Sequence, residues 1–177
     1  MNRQTSKVIE KAIKADDWAG ARRLIQAELR LNPKDHWLMS RLALTYYEQR
    51  KYEKAMYWDV AALQEAPCCP LAMWSYAGTL DMLGRYAEAL VIYRCLASWS
   101  EEELAHGNCG EGVPRARSLI TDCLYRIARI WEEKRQWKRS AAAYKEHLSR
   151  RKNGSGSIYP VREVKVRYED VLRRIRG

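Results

Sequence analysis

Apolar and small residues return along this chain at helical spacing, three or four apart, in blocks separated by short polar turns. Val8, Ile9 and Ala12 share one face, and Ala21, Leu24, Ile25 and Leu31 share the next, which closes at Asn32-Pro33. Leu42, Ala43 and Tyr46 mark a third block, and Tyr52, Ala55 and Ala62 a fourth that ends at Pro67. Trp74, Ala77, Gly78 and Leu80 precede a turn at Leu83-Gly84-Arg85, and Ala89, Tyr93 and Leu96 follow it. Leu124, Ile127, Ala128 and Trp131, then Ser140, Tyr144 and Leu148, resume the pattern, and Val161, Val164, Tyr168, Val171, Leu172 and Ile175 finish it. The chain is predicted to be all-α, with first-of-pair helices near 3–15, 36–50, 70–83 and 115–134 and a last helix near 160–175.

The blocks repeat. Trp18, Tyr52 and Tyr86 lie 34 residues apart, each followed three residues later by Ala21, Ala55 and Ala89. The same aromatic-x-x-small step returns at Trp137 and Ser140, but 51 residues after Tyr86, so about half a repeat is inserted before it. With its period, its paired small and aromatic positions and its Gly84 turn, the chain resembles the tetratricopeptide repeat (TPR) family. The resemblance covers residues 2–103 and 121–154 and is best in the second and third units. It implies a right-handed superhelical array of antiparallel helix pairs, a TPR-like α-solenoid, forming one domain over 1–177. The units are near 2–35, 36–69, 70–103 and 121–154, with a glycine-rich insertion near 104–120 and a C-terminal capping helix near 159–176.

In the insertion, Gly107, Gly110 and Gly112 break any helix, and Pro114 is suited to open a new one that runs on into the fourth unit. Asn153-Gly154-Ser155-Gly156-Ser157 reads as a flexible turn. Repeat arrays need their last apolar face covered, and the helix after Pro160 is suited to cover it.

Charge changes the picture at one end. Residues 1–114 carry 14 basic against 15 acidic side chains, a balance of −1, whereas residues 115–177 carry 18 against 7, a balance of +11. A field so concentrated favours an acidic partner, a nucleic acid or an anionic surface over a neutral one. No run approaches 18 apolar residues and the N-terminal segment lacks a signal-peptide core, so a soluble, cytoplasmic protein without membrane insertion is expected. The five cysteines form no C-x-x-C pair, and reduced thiols are expected, with no metal and no cofactor. Phe is absent while Tyr and Trp number 11 and 7, so the large core positions must use aromatics with a polar edge.

Family geometry turns the second, fifth, ninth and twelfth residues of each unit toward the ligand groove. The resemblance therefore implies Trp37, Ser40, Leu44 and Tyr47 in the second unit, and Leu71, Trp74, Gly78 and Asp81 in the third. In the fourth it implies Asp122, Tyr125, Arg129 and Glu132, with Arg41 and Arg126 at the groove's edge. Aromatic and arginine side chains are the types that anchor interfaces. The Lys and Asn pair by which some members grip a terminal carboxylate is missing, since Ser6 and Glu10 stand at those positions of the first unit.

Three functions are weighed. The favoured one is a non-enzymatic scaffold binding a peptide segment of a partner, of acidic character, in the groove. A nucleic-acid-associated protein using the basic C-terminal third is the alternative; most of the aromatics there fall on repeat core positions, which leaves its charges without a stacking platform. A thiol-dependent enzyme centred on Cys109 and His106, with Cys123 nearby in sequence, comes third, because no oxyanion donor or orienting residue is identifiable. The loop Gly107 to Gly112 superficially resembles an anion cradle, but it has no following G-K-[ST] and its Glu111 repels phosphate.

Overall fold

The computed structural model describes residues 3–176, the side chain of Arg3 apart. Among the described residues there are ten helices and no strand: α1 (Arg3–Lys14), α2 (Trp18–Leu31), α3 (His36–Tyr47), α4 (Tyr52–Glu65), α5 (Pro70–Met82), α6 (Tyr86–Ser98), α7 (Glu101–His106), α8 (Val113–Glu133), α9 (Trp137–Lys152) and α10 (Val161–Arg176). The chain divides into two compact units, Met1–Arg85 and Tyr86–Gly177, the boundary falling in the turn between α5 and α6.

Unit 1 is two layers of helices. In each pair a small residue lets backbones approach: Ala21 in α2 and Ala55 in α4 are fully buried, as the aromatic-x-x-small step predicts. Ile9 from α1, Ala21 and Ile25 from α2, and Leu38 and Leu42 from α3 form one buried cluster, with Trp37, Tyr46 and Trp58 packed on it. Met39, Ala62, Cys69 and Ala72 join α3, α4 and α5 in a second. Asp17 caps α2 by accepting from the Gly20 amide at 2.8 Å, and Asp35 caps α3 by accepting from the Trp37 and Leu38 amides at 3.0 and 3.1 Å. One buried carboxylate crosses this packing: Asp59 of α4 accepts from the Thr79 hydroxyl of α5 at 2.6 Å.

In unit 2, α8 is a 21-residue helix that starts at Val113, with Pro114 in its first turn, and continues without a break into the fourth repeat, as expected. It packs on α6, α7 and α9 and buries Ile120, Cys123, Ile127, Ala128, Ile130 and Trp131. Ser140 stands where the other repeats have Ala; it is fully buried, and its hydroxyl donates to the Ala128 carbonyl at 2.9 Å. Val164 and Val171 of α10 are fully buried, and α10 lies along α9.

Two features differ from the sequence reading. Part of the insertion is helical: Ser100 and Glu103 form a capping box that starts α7. The stretch 153–159 is a fixed strap, not a flexible turn. Arg151 donates to the Ser155 carbonyl at 2.7 Å, Ser155 is buried, and a Cβ on Gly156 would meet the Ser118 hydroxyl at 2.3 Å, so a side chain there would have to displace that hydroxyl.

Each turn between paired helices carries one residue in the left-handed region. These are Asp16 (φ 55°), Arg50 (φ 56°), Gly84 (φ 74°) and Arg135 (φ 54°), so the first three keep the 34-residue register. Only Gly84 is the residue that conformation favours.

Candidate functional site

The expected groove positions of unit 1 lie on α3 and α5. Trp37 and Arg41 are one turn apart on α3, and the Arg41 guanidinium lies 5.1 Å from the Trp37 ring centroid. Arg41 also pairs with Glu10 of α1, Nε to Oε1 at 2.7 Å, the two side chains being 18% and 34% exposed. Glu10 is the ninth residue of the first repeat, so the groove position that would repel a carboxylate is joined to the one that would attract it. Leu44 is half-buried on the same face. Tyr47 meets Tyr52 edge to face, ring centroids 5.5 Å apart. Ser40 is buried, and its hydroxyl has no hydrogen-bond partner. On α5, Trp74 and Asp81 are half-buried and Gly78 is buried.

Two of the corresponding positions of unit 2, Asp122 and Tyr125, are buried by the chain itself, whereas Arg126, Arg129 and Glu132 stay half-buried. Tyr125 of α8 is buried, its ring stacked on Tyr159 of the strap at 3.7 Å between centroids and 14° between planes. Its hydroxyl donates to Glu163 of α10 at 2.5 Å; burial first, and then this bond, raises the Tyr125 pKa, and the bond lowers that of Glu163. The Arg126 guanidinium lies 5.7 Å from the centre of the Tyr159 ring, whose hydroxyl burial pushes well up. Asp122 accepts from the Ser157 hydroxyl at 2.5 Å and from the Ile158 amide at 3.2 Å; burial still raises its pKa.

Arg129 is engaged by Glu133 at 3.2 Å and approaches Glu132 at 3.9 Å. Glu132 in turn accepts from the Tyr144 hydroxyl at 2.5 Å and pairs with Arg167 at 3.7 Å. His147, fully buried on α9, contacts the Thr121 carbonyl through Nδ1 at 2.8 Å, and burial lowers its pKa. Ser157, Tyr159, Glu163 and His147 were not singled out as site residues from sequence. Their partners lie 26 to 38 positions away, beyond the reach of any local pattern.

Cys109, on which the thiol reading was centred, is exposed in the glycine loop. In the glycine loop the amides of Gly107, Gly110 and Gly112 donate to the chain's own Glu103, Gly107 and Ala105 carbonyls, and Glu111 pairs with Arg115 at 3.1 Å. His106 is exposed and stands 3.7 Å from Glu102. Cys123 is fully buried, and burial pushes its thiol well above the ordinary value, the opposite of what a nucleophile requires. In the basic region the Trp131 ring has Arg94 and Arg139 at 5.1 and 4.8 Å from its centroid, and Arg174 lies 5.0 Å from the centroid of Trp137. Those rings stack with the protein's own cations.

The chain has a TPR-like helical repeat fold, and solved structures share it. The crystal structure of the MamA protein superposes with a TM-score of 0.63 at 14% identity, covering 97% of this chain and 86% of that one. MamA from residue 41 to its end, from Desulfovibrio magneticus RS-1, gives 0.60 at 11% identity over 98% and 90% of the two chains. A MamA RS-1 double mutant gives 0.61 at 12% identity over 98% and 94%. At these identities the likeness is one of fold. No family model matches the chain, and no curated protein matches it. No helix among the described residues is long and apolar enough to cross a membrane.

Proposed function

We propose that the protein is a non-enzymatic scaffold that binds a peptide segment of a partner protein along the inner layer of unit 1, on α3 and α5. The observation that carries this reading is the state of Trp37, Arg41 and Leu44. They stay half-buried, two at ligand-facing positions and Arg41 at the groove's edge, while the aliphatic residues between them, Leu38 and Leu42, are fully buried. Interface anchors have this form: a large side chain fixed by packing on one side and open to a partner on the other. In unit 2 Tyr125, in the same register, is taken up by Tyr159 and Glu163, so α8 serves closure and α3 serves binding.

The segment that fits is apolar or aromatic opposite Trp37 and Leu44. Arg41 offers a cation only where a partner carboxylate competes with Glu10, and Arg129 is already held by Glu132 and Glu133. A displayed peptide library selected on the full chain tests the proposal. Selected peptides should lose binding to Trp37→Ala and Leu44→Arg and keep it to Tyr57→Ala, a change at a 69% exposed residue of α4. Peptides indifferent to the first two variants but lost with the third would place the site on the other layer.

A further inference from the structure

Helix α9 turns one continuous face to water. Lys138, Ala142, Lys145, Ser149 and Lys152 recur three and four residues apart and all are exposed, while Ser140, Ala143, Tyr144 and His147 on the other side are buried. None of the three lysines forms an ion pair or a hydrogen bond with another described residue. The helix has one acid, Glu146, and that stands 3.8 Å from Arg150. Seven residues of α-helix rise about 10.5 Å, so the lysines stand evenly along about 21 Å of axis, with a methyl or hydroxymethyl group between each two.

The repeat does not call for lysine there. Counted from the aromatic that opens each helix, Ala142 and Lys145 take the places of Tyr57 and Val60 in α4 and of Val91 and Arg94 in α6, all of them exposed. Exposure is common to this face and its chemistry is not. We propose that the outer face of α9 binds double-stranded nucleic acid through its phosphates, without reading the bases. A duplex carries about one negative charge for each 1.7 Å of axis, so a length equal to the stripe presents about 12 phosphates, and the small side chains between the lysines let the helix come close to them. A protein partner fits less well, because interface cores are depleted of lysine and rely on aromatic or arginine anchors, which this face lacks. A single strand needs rings on which its bases stack, and Trp131 and Tyr144 are buried. Lysine is a mobile point charge suited to contact without base specificity. The proposal concerns unit 2 alone and does not rest on peptide binding by unit 1.

The competing explanation is a solvated face that acts only through the chain's net charge. Fluorescence anisotropy of a labelled DNA duplex of about 20 base pairs, titrated with the full chain at salt from about 50 to about 200 mM, separates the two. The triple variant Lys138→Gln, Lys145→Gln, Lys152→Gln should lower the slope of log K against log salt by about 2.7, ~0.9 for each cation, so that the parent loses about 40-fold more affinity than the variant across that range. Lys7→Gln, Lys11→Gln, Lys14→Gln removes the same charge from exposed positions of α1 and should leave the slope unchanged. Circular dichroism of each variant shows whether its helices are intact. The duplex should also bind more tightly than one of its single strands or a polyglutamate peptide of similar length. Absence of duplex binding at the lowest salt, an equal loss in the two triple variants, or tighter binding of the single strand or of polyglutamate overturns the proposal, the last making the partner an acidic protein segment.

Discussion

Asp59→Asn tests the energetics of unit 1 at its least comfortable point. The Asp59 carboxylate is fully buried between α4 and α5, where one oxygen accepts from the Thr79 hydroxyl at 2.6 Å. Burial pushes its pKa from 3.8 up to about 6, against the opposing pull of the Ser75 and Thr79 hydroxyls. Below pH 3.8 the group is protonated whether the chain is folded or not. Between there and about 6 the folded state holds a proton that the unfolded state has released, so stability falls as pH rises through this window.

At ~1.36 kcal/mol for each pH unit the displacement costs about 3 kcal/mol once the pH exceeds the folded value. Asparagine keeps the shape and an acceptor for Thr79 but cannot ionise. The difference in unfolding free energy between variant and parent should therefore move by about 3 kcal/mol in the variant's favour between pH 3.5 and pH 7.5. Urea denaturation followed by circular dichroism at both values measures it. Were the difference independent of pH, Asp59 would titrate as an exposed carboxylate and its assigned burial would be wrong.

Two further outcomes follow from the backbone and the strap. Arg135→Gly should stabilise unit 2 by about 0.5–1 kcal/mol, because it relieves a left-handed residue whose side chain is exposed, while Gly84→Ala should cost about 1 kcal/mol at a site where no atom lies within 4 Å of the added carbon. Equal thermal midpoints for these two variants and the parent would contradict this. Tyr159→Ala removes the ring stacked on Tyr125 and should cost about 2–3 kcal/mol and expose 153–160 to protease; unchanged cleavage would mean that the strap is held without it.

The repeat was legible because helix packing writes itself into local spacing. Ala21, Ala55 and Ala89 sit where backbones approach and are fully buried, and the aromatic before each opens a second helix of its pair. The capping box at Ser100 and Glu103 was equally local and could have been read, since S-x-x-E ahead of an apolar residue is its signature. The strap could not. Its glycines and serines have the composition of a mobile linker, and what fixes them is Asp122, Tyr125 and Ser118, more than thirty residues upstream. Asp59 was hidden for a related reason: a carboxylate in a helix reads as solvated until a neighbouring helix brings Thr79 to it. Among the expected groove residues, sequence placed Trp37 and Tyr125 alike, and the strap is what separates a half-buried side chain from a covered one.

If unit 1 takes a peptide as proposed, the pairing of Glu10 with Arg41 decides where the binding energy comes from. A partner carboxylate that reaches Arg41 must displace Glu10 from a 2.7 Å contact, and both side chains retain some exposure, 18% and 34%. Exchanging one partly solvated ion pair for another returns little net free energy, because each is worth about 0–1 kcal/mol. Trp37 faces no such exchange. Covering the rest of its ring removes apolar surface from water at about 25 cal/mol for each Å² and leaves the cation stacked on it in place. Affinity should therefore follow the apolar residue set against Trp37, and the charge of the segment should act through its rate of association, an effect that salt screens. A series of bound peptides differing only in net charge should accordingly share a dissociation rate, while those differing opposite Trp37 should not. A dissociation rate that instead tracked charge would make Arg41, not Trp37, the anchor of the site.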